Sequence, residues 1–239
     1  MKNILIVSAL PQEIEYVWDY LKEKSAWTRL DEDSFYNESK AIQIKMKVLG
    51  VGKVNAAFQT ADAIHGFNPD LIINVGVAGG LADDMNRGSV AIGTEYVQVD
   101  MKTLLPENSP VIAPTPVRVL NKLISIAEKT GVNYRAGRIA TGDFVLYERK
   151  KRRAIKKEFN PIAFDMETAA VAQVATAKGI DFVGIRSFSD MATKKTIHLL
   201  NLSKKQDESE EAFRAEVFKT PAKLAISYIE NEYDDARTA

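Results

Sequence analysis

The run Leu71-Ile72-Ile73-Asn74-Val75 constrains this chain most, because it is apolar on both faces. A strand of that kind belongs in the middle of a sheet covered on both sides, and such sheets are largely parallel. Strands and helices alternate along almost the whole chain in support of this. Strands are expected near residues 4–7, 41–49, 89–100, 136–141, 162–166 and 181–188. Helices are expected from Pro11, after Gly52, from a Thr115-Pro116 cap, and over 148–158 and 167–178. Residues 41–49 alternate, with Ile42, Ile44, Met46 and Val48 on the face to be buried. The helix after Gly52 carries Val54, Ala57, Phe58, Ala61 and Ile64 as its apolar residues. A last helical region from about Glu208 should break or kink at Pro221. No repeat, low-complexity tract or composition shift divides the 239 residues. The expected architecture is α/β: a single domain over 1–239, a three-layer sandwich around a mixed, largely parallel central sheet.

Composition removes several chemistries. There is no cysteine, which excludes disulfides, thiolate metal sites and a Cys nucleophile. His65 and His198 are the only histidines and lack ligand spacing, so a His-rich metal site or a Ser-His-Asp triad is a poor fit. Acid–base work falls to carboxylates. Lys+Arg and Asp+Glu both number 32, a balance unlike that of a dedicated polyanion binder. The run from Arg149 to Arg153, with Lys156 and Lys157, interleaves Ala154, Ile155 and Phe159, and reads as a solvated helix face. No nucleic-acid or membrane partner is expected. The apolar run 4–7 meets Pro11, Gln12 and Glu13 without a cleavage site, so it reads as a buried strand of a cytoplasmic protein.

The chemistry-bearing residues stand just past strand ends. Gly76, Gly79 and Gly80 close the central strand, where open α/β sheets place ligands, and serve either a close ligand approach or a sharp turn. Asp165-Met166-Glu167 lies where a strand passes into a helix, so its carboxylates either cap that helix or face a site. Asp190 either caps a short helix, pairs with Arg186, or projects into the crevice. Glu13 is either a first-turn helix acid or a site residue. Gly50-Val51-Gly52 begins like a dinucleotide fingerprint, but Asn55 replaces the third glycine, and a strand-to-helix turn is the simpler reading.

Taken in order, Glu13, GVGKVNAA (50–57), NVGVAGGL (74–81), ATGDF (140–144), DMETAA (165–170) and RSFSD (186–190) resemble the purine nucleoside phosphorylase family. Within it they resemble the 5′-methylthioadenosine/S-adenosylhomocysteine nucleosidases. The resemblance implies a nucleoside phosphorylase-like fold and hydrolysis of an N-glycosidic bond through an oxocarbenium-like sugar, with adenine released. It assigns Asp190 as the acid that protonates purine N7, Glu13 as the carboxylate that activates water, and Glu167 as the acceptor of the ribose hydroxyls. It places Met166 against the sugar and Gly79 and Leu146 along the sugar and base sites. Val51, Val145 and Ser189 complete the substrate-binding set. It implies no cofactor and no metal, a small nucleoside substrate, and a homodimer with the proline-rich stretch 102–116 near its interface. Residues 8–13 carry an acid and no arginine, which suits water and would repel phosphate. Four departures are visible. The stretch from Asp100 to Thr115 is shorter than the family's, and residues 193–215, expected to cover the 5′ substituent, match poorly. Val77 stands where these nucleosidases usually offer Ser or Thr, and the base-stacking ring position falls on Val145, flanked by Phe144 and Tyr147. Other readings are a nucleosidase for another 5′-modified purine nucleoside such as futalosine, or a non-catalytic nucleoside-binding protein.

Overall fold

The structure, a computed structural model, describes residues 1–101, 112–194 and 208–232. Pro106, Pro110 and His198 lie outside the described residues. Nine strands form one sheet: β1 (Lys2–Ser8), β2 (Thr28–Arg29), β3 (Ser34–Asn37), β4 (Ile42–Val48), β5 (Leu71–Gly80), β6 (Val90–Gln98), β7 (Tyr134–Thr141), β8 (Ala163–Asp165) and β9 (Asp181–Asp190). Their order is β2-β3-β4-β1-β5-β8-β7-β6-β9, with β9 also paired to β5. That extra pairing closes β5, β8, β7, β6 and β9 into a ring. The β1–β4, β1–β5, β5–β9, β6–β7 and β7–β8 pairs are parallel, and the other four are antiparallel.

The central strands are buried because they are sandwiched. Side chains alternate along β1, so Ile4 and Ile6 face one layer while Leu5 and Val7 face the other. The first layer is made by α1 (Pro11–Glu23), α3 (Val117–Thr130) and α6 (Glu208–Glu232), and the second by α2 (Lys53–Ile64) and α5 (Thr168–Lys178). A smaller cluster under α4 (Arg149–Phe159) joins Ile155 to Leu81, Leu146 and Phe164. The mixed, largely parallel three-layer expectation matches this arrangement.

Four local expectations need correction. The stripe that α2 buries is Ala56, Thr60, Ala63 and Ile64, whereas Val54 and Phe58 face outward. Val48, at the end of β4, is exposed while Ile42, Ile44 and Met46 are buried. Thr115 does not cap α3: its hydroxyl turns inward to the carbonyl of Gly93 at 2.7 Å and meets the Tyr96 hydroxyl. Finally, α6 runs unbroken through Pro221. A proline there leaves the carbonyl four residues earlier without its N–H donor. That carbonyl belongs to Val217, and the buried hydroxyl of Ser187 donates to it instead. The helix survives because a strand side chain satisfies the orphaned oxygen.

Candidate active site

The C-terminal ends of β1, β5, β8 and β9 meet at a cleft of about 230 Å³. The nine residues that the resemblance assigned to catalysis and substrate binding all line it: Glu13, Val51, Gly79, Val145, Leu146, Met166, Glu167, Ser189 and Asp190, whereas Gly76 and Gly80 do not. A larger groove of about 680 Å³ lies between α1 and the turn joining β2 to β3, with Asp19, Lys22, Arg29 and Glu32 in its lining, and it holds none of these nine residues.

Glu13 sits in the first turn of α1 yet is only 3% exposed. Its carboxylate is held from two sides, accepting the N–H of Leu10 at 2.8 Å and that of Val77 at 2.9 Å. The first bond closes the helix N-terminus, and the second reaches across to β5. Burial raises its pKa, against the pull of Arg186 and the N–H groups of Val77, Leu10 and Ala9. Thus Glu13 satisfies helix and cleft at once, and the choice between helix acid and site residue dissolves.

Asp165 and Glu167 divide the tasks left open between them. Asp165 does the capping, since its carboxylate accepts the Thr168 N–H at 3.2 Å together with the Thr168 hydroxyl. It also accepts Thr141 Oγ1 at 2.6 Å and Arg186 Nε at 2.8 Å. Glu167 occupies the N-cap position of α5 without making a side-chain cap bond. Its carboxylate instead crosses the cleft to accept the Gly52 N–H at 2.8 Å. Its pKa is pushed up to about 7 by burial first and by the Asp165 charge second, with Arg186 and the Gly52 N–H opposing.

Arg186 is the residue that sequence reasoning undervalued. It is 1% exposed, and it pairs with Asp165 rather than with Asp190. Its guanidinium and Glu13 converge on Gly76, where an added Cβ would lie 2.0 Å from Arg186 Nη1 and 2.6 Å from Glu13 Oε1. Only glycine lets strand, acid and guanidinium meet there. The available signal was a charge embedded in the otherwise apolar strand Phe182-Val183-Gly184-Ile185, since a buried charge requires a partner.

Asp190 is oriented by its own loop. One oxygen accepts the Ala192 N–H at 2.7 Å, and the other accepts the Ser189 hydroxyl at 2.9 Å. A Cβ on Gly79 would come within 3.3 Å of Asp190 Oδ1, so that glycine clears the approach. On the opposite wall, Phe144 lines the cleft and packs on Phe164 with ring centroids 4.9 Å apart, and Phe164 also lines it. The aromatic surface is therefore Phe144 with Phe164, the latter unforeseen, and Tyr147 does not reach the lining. Among the described residues, no group of three His, Cys, Asp or Glu is placed to hold a metal ion, and no helix is long and apolar enough to cross a membrane.

Comparison with known proteins shows the family and the fold. The sequence profile of the Phosphorylase superfamily matches residues 3–230. The 5′-methylthioadenosine/S-adenosylhomocysteine nucleosidase of Anoxybacillus flavithermus is 32% identical over 204 residues, covering 81% of this chain and 88% of the relative. The crystal structure of the nucleosidase of the same name from Neisseria meningitidis, in complex with methylthio-immucillin-A, superposes with a TM-score of 0.79 at 26% identity, covering 96% of this chain and 99% of that one. The futalosine hydrolase of Helicobacter pylori shares the fold, with a TM-score of 0.81 at 22% identity and coverage of 96% and 97%.

Proposed function

The chain belongs to the phosphorylase superfamily and is an N-glycosidic hydrolase of purine nucleosides, and from that premise we propose that it releases adenine from 5′-methylthioadenosine and S-adenosylhomocysteine. In this reading Asp190 delivers a proton to purine N7, Glu13 orients and deprotonates the attacking water, and Glu167 accepts the ribose hydroxyls. The purine lies along Phe144, Val145 and Leu146, and the sugar lies over Met166 between Val51, Gly79 and Ser189. The anionic side chains favour the cationic sugar of the transition state over the neutral substrate.

The observation that carries the proposal is the charge balance around Arg186. Glu13, Asp165 and Glu167 are gathered near one guanidinium, whose Nε is committed to Asp165, and Asp190 adds a further carboxylate to the same cleft. A phosphate dianion would be repelled by these carboxylates, which outnumber the one guanidinium among them. Water is the nucleophile that such a site tolerates. The test is product analysis by chromatography in phosphate-free buffer. Free adenine and free methylthioribose are expected, whereas strict phosphate dependence with a sugar 1-phosphate product would refute hydrolysis. A panel including futalosine separates the second reading, which the shared fold with futalosine hydrolase supports.

We also propose a homodimer. Val51, just before α2, and Val54 and Phe58 on α2 are 47%, 80% and 68% exposed, an apolar patch that begins at the cleft itself. A second copy seated there would border the nucleoside site. Of the stretch 102–116 expected at that interface, residues 102–111 lie outside the described residues. Light scattering should give twice the chain mass, and Phe58→Glu should give monomers. A fully active monomeric wild type would contradict the proposal.

A further inference from the structure

Beside the cleft, three separate segments meet on one carboxylate. Asp100, just past β6, accepts Lys53 Nζ on Oδ1 at 2.6 Å and the N–H of Asp143 on Oδ2 at 2.8 Å. Asp143 in turn accepts the backbone N–H of Lys53 at 2.8 Å. The Lys53 ammonium also reaches Gln98 Oε1 at 3.1 Å. A closed ring of bonds thus joins the end of β6, the first turn of α2 and the loop that follows β7.

Each of the last two segments carries one wall of the cleft. The turn that enters α2 brings Val51 to the lining and gives the Gly52 N–H to Glu167. The loop after β7 brings Phe144, Val145 and Leu146 to the lining. The walls approach closely because Gly52 holds a left-handed φ of +94°, and a Cβ there would already touch Asp143 Oδ1 at 3.4 Å. Lys53, Asp100 and Asp143 do not line the cleft, and the chemistry proposed above uses none of them. The Lys53 and Asp100 side chains are only 18% and 24% exposed, so solvent screens their pairing incompletely. Burial alone would raise the Asp100 pKa. The Lys53 ammonium and the Asp143 N–H outweigh it and hold that carboxyl below the usual range.

We propose that Asp100 is a positioning residue for nucleoside binding, the hub of a clasp with Lys53 and Asp143 that sets the distance between the sugar wall and the base wall. The inference rests on the reading that this cleft takes a nucleoside. A nucleoside must span from Glu167 to the 142–146 loop, so a clasp that orders the loop beforehand removes part of the ordering cost of binding. The reacting groups are held elsewhere, Glu13 by Leu10 and Val77 and Asp190 by Ser189 and Ala192. The clasp therefore acts on affinity and leaves the chemical step alone.

The experiment measures kcat and KM for 5′-methylthioadenosine, and by calorimetry the Kd of its 7-deaza analogue, which lacks the nitrogen to be protonated. Asp100→Ala and Lys53→Met should each raise KM and Kd about tenfold with kcat within about threefold of wild type. Lys53→Arg keeps the ion pair and should retain wild-type KM. The double variant should be no worse than the worse single one, because both remove the same clasp. Loss of kcat with KM and Kd unchanged would mark a merely structural role and overturn the proposal, as would additive effects. Should Asp100→Ala fail to fold, the Lys53 pair decides by the same criteria. A wild type that binds the analogue but releases no adenine would refute the hydrolytic reading while Kd still tests the clasp. A wild type that hydrolyses, with variants unchanged in KM, would refute the clasp alone.

Discussion

Replacing Glu167 by Gln should make the protein more stable at pH 8 while nearly abolishing its activity. The folded-state pKa of Glu167 is about 7, against 4.5 for an unperturbed glutamate. Between those values the folded protein binds more protons than the unfolded chain, so stability falls as pH rises through the window. At about 1.4 kcal/mol per pH unit between the two values, the ionised side chain costs on the order of 3 kcal/mol above pH 7. Glutamine is neutral and can still accept the Gly52 N–H, so it escapes that cost without orphaning the donor. Urea unfolding at pH 8 should therefore show a gain of about 3 kcal/mol, and heating should show a Tm higher by about 6–12 °C. Near pH 4.5 the wild-type side chain is itself largely protonated and the gain should vanish. Meanwhile kcat/KM should drop at least about 100-fold, because a neutral amide no longer favours the cationic sugar. A variant less stable than wild type at pH 8, or one whose gain persists unchanged at pH 4.5, would refute the electrostatic reasoning.

Three further perturbations test the site and its scaffold. Asp190→Asn keeps shape and hydrogen bonding but cannot deliver a proton, so turnover should fall about 10²–10⁴-fold while affinity for the 7-deaza analogue changes little; a variant retaining a tenth of the wild-type rate would sink the general-acid assignment. Gly76→Ala places a methyl 2.0 Å from Arg186 Nη1, which should cost about 1–3 kcal/mol in chemical denaturation and remove activity; a stable, active variant would contradict the Gly76 packing. For wild type, kcat/KM should decline as pH drops below about 7, since the roles proposed for Glu13 and Glu167 need anions and burial raises both pKa values; a profile flat from pH 8 to 5 would count against these roles.

What could be read from the sequence depended on how local the cause was. The central strands were legible because burial on both faces writes an unbroken apolar run, as at Leu71–Val75. Glu13, Glu167 and Asp190 each stand just past a strand end, where open sheets gather ligands, but each also fitted a helix-acid or capping reading, and their roles came only from the family resemblance. The β2–β3 hairpin was not, since β2 has two exposed residues and β3 only four, too few for any period to show. The buried face of α2 was misjudged because Val54 and Phe58 outweigh Ala56 and Ala63 in bulk, although small residues are what allow α2 to pack against α5. The fate of Pro221 depended on Ser187, a partner 34 positions earlier that no local window contains.

The same long-range bookkeeping separates scaffold from chemistry among the buried acids. Asp165 is surrounded by donors: Thr141 Oγ1, the N–H and hydroxyl of Thr168, and Arg186 Nε. Its acceptor capacity is filled by protein, so it has nothing to offer a substrate. Glu167 stands two residues away and is equally buried, yet among the described residues only the Gly52 N–H donates to it, on Oε1. Oε2 is left to take hydroxyl donors from outside, and burial without partners is also what raises the Glu167 pKa. The perturbed acidity and the spare acceptor are thus one fact seen twice. A sugar hydroxyl bound there would supply the missing hydrogen bond and draw the pKa back down, so nucleoside binding to Glu167 should tighten as pH rises through about 7. Asp165, lacking spare acceptors, can only hold Arg186 in place for its neighbours.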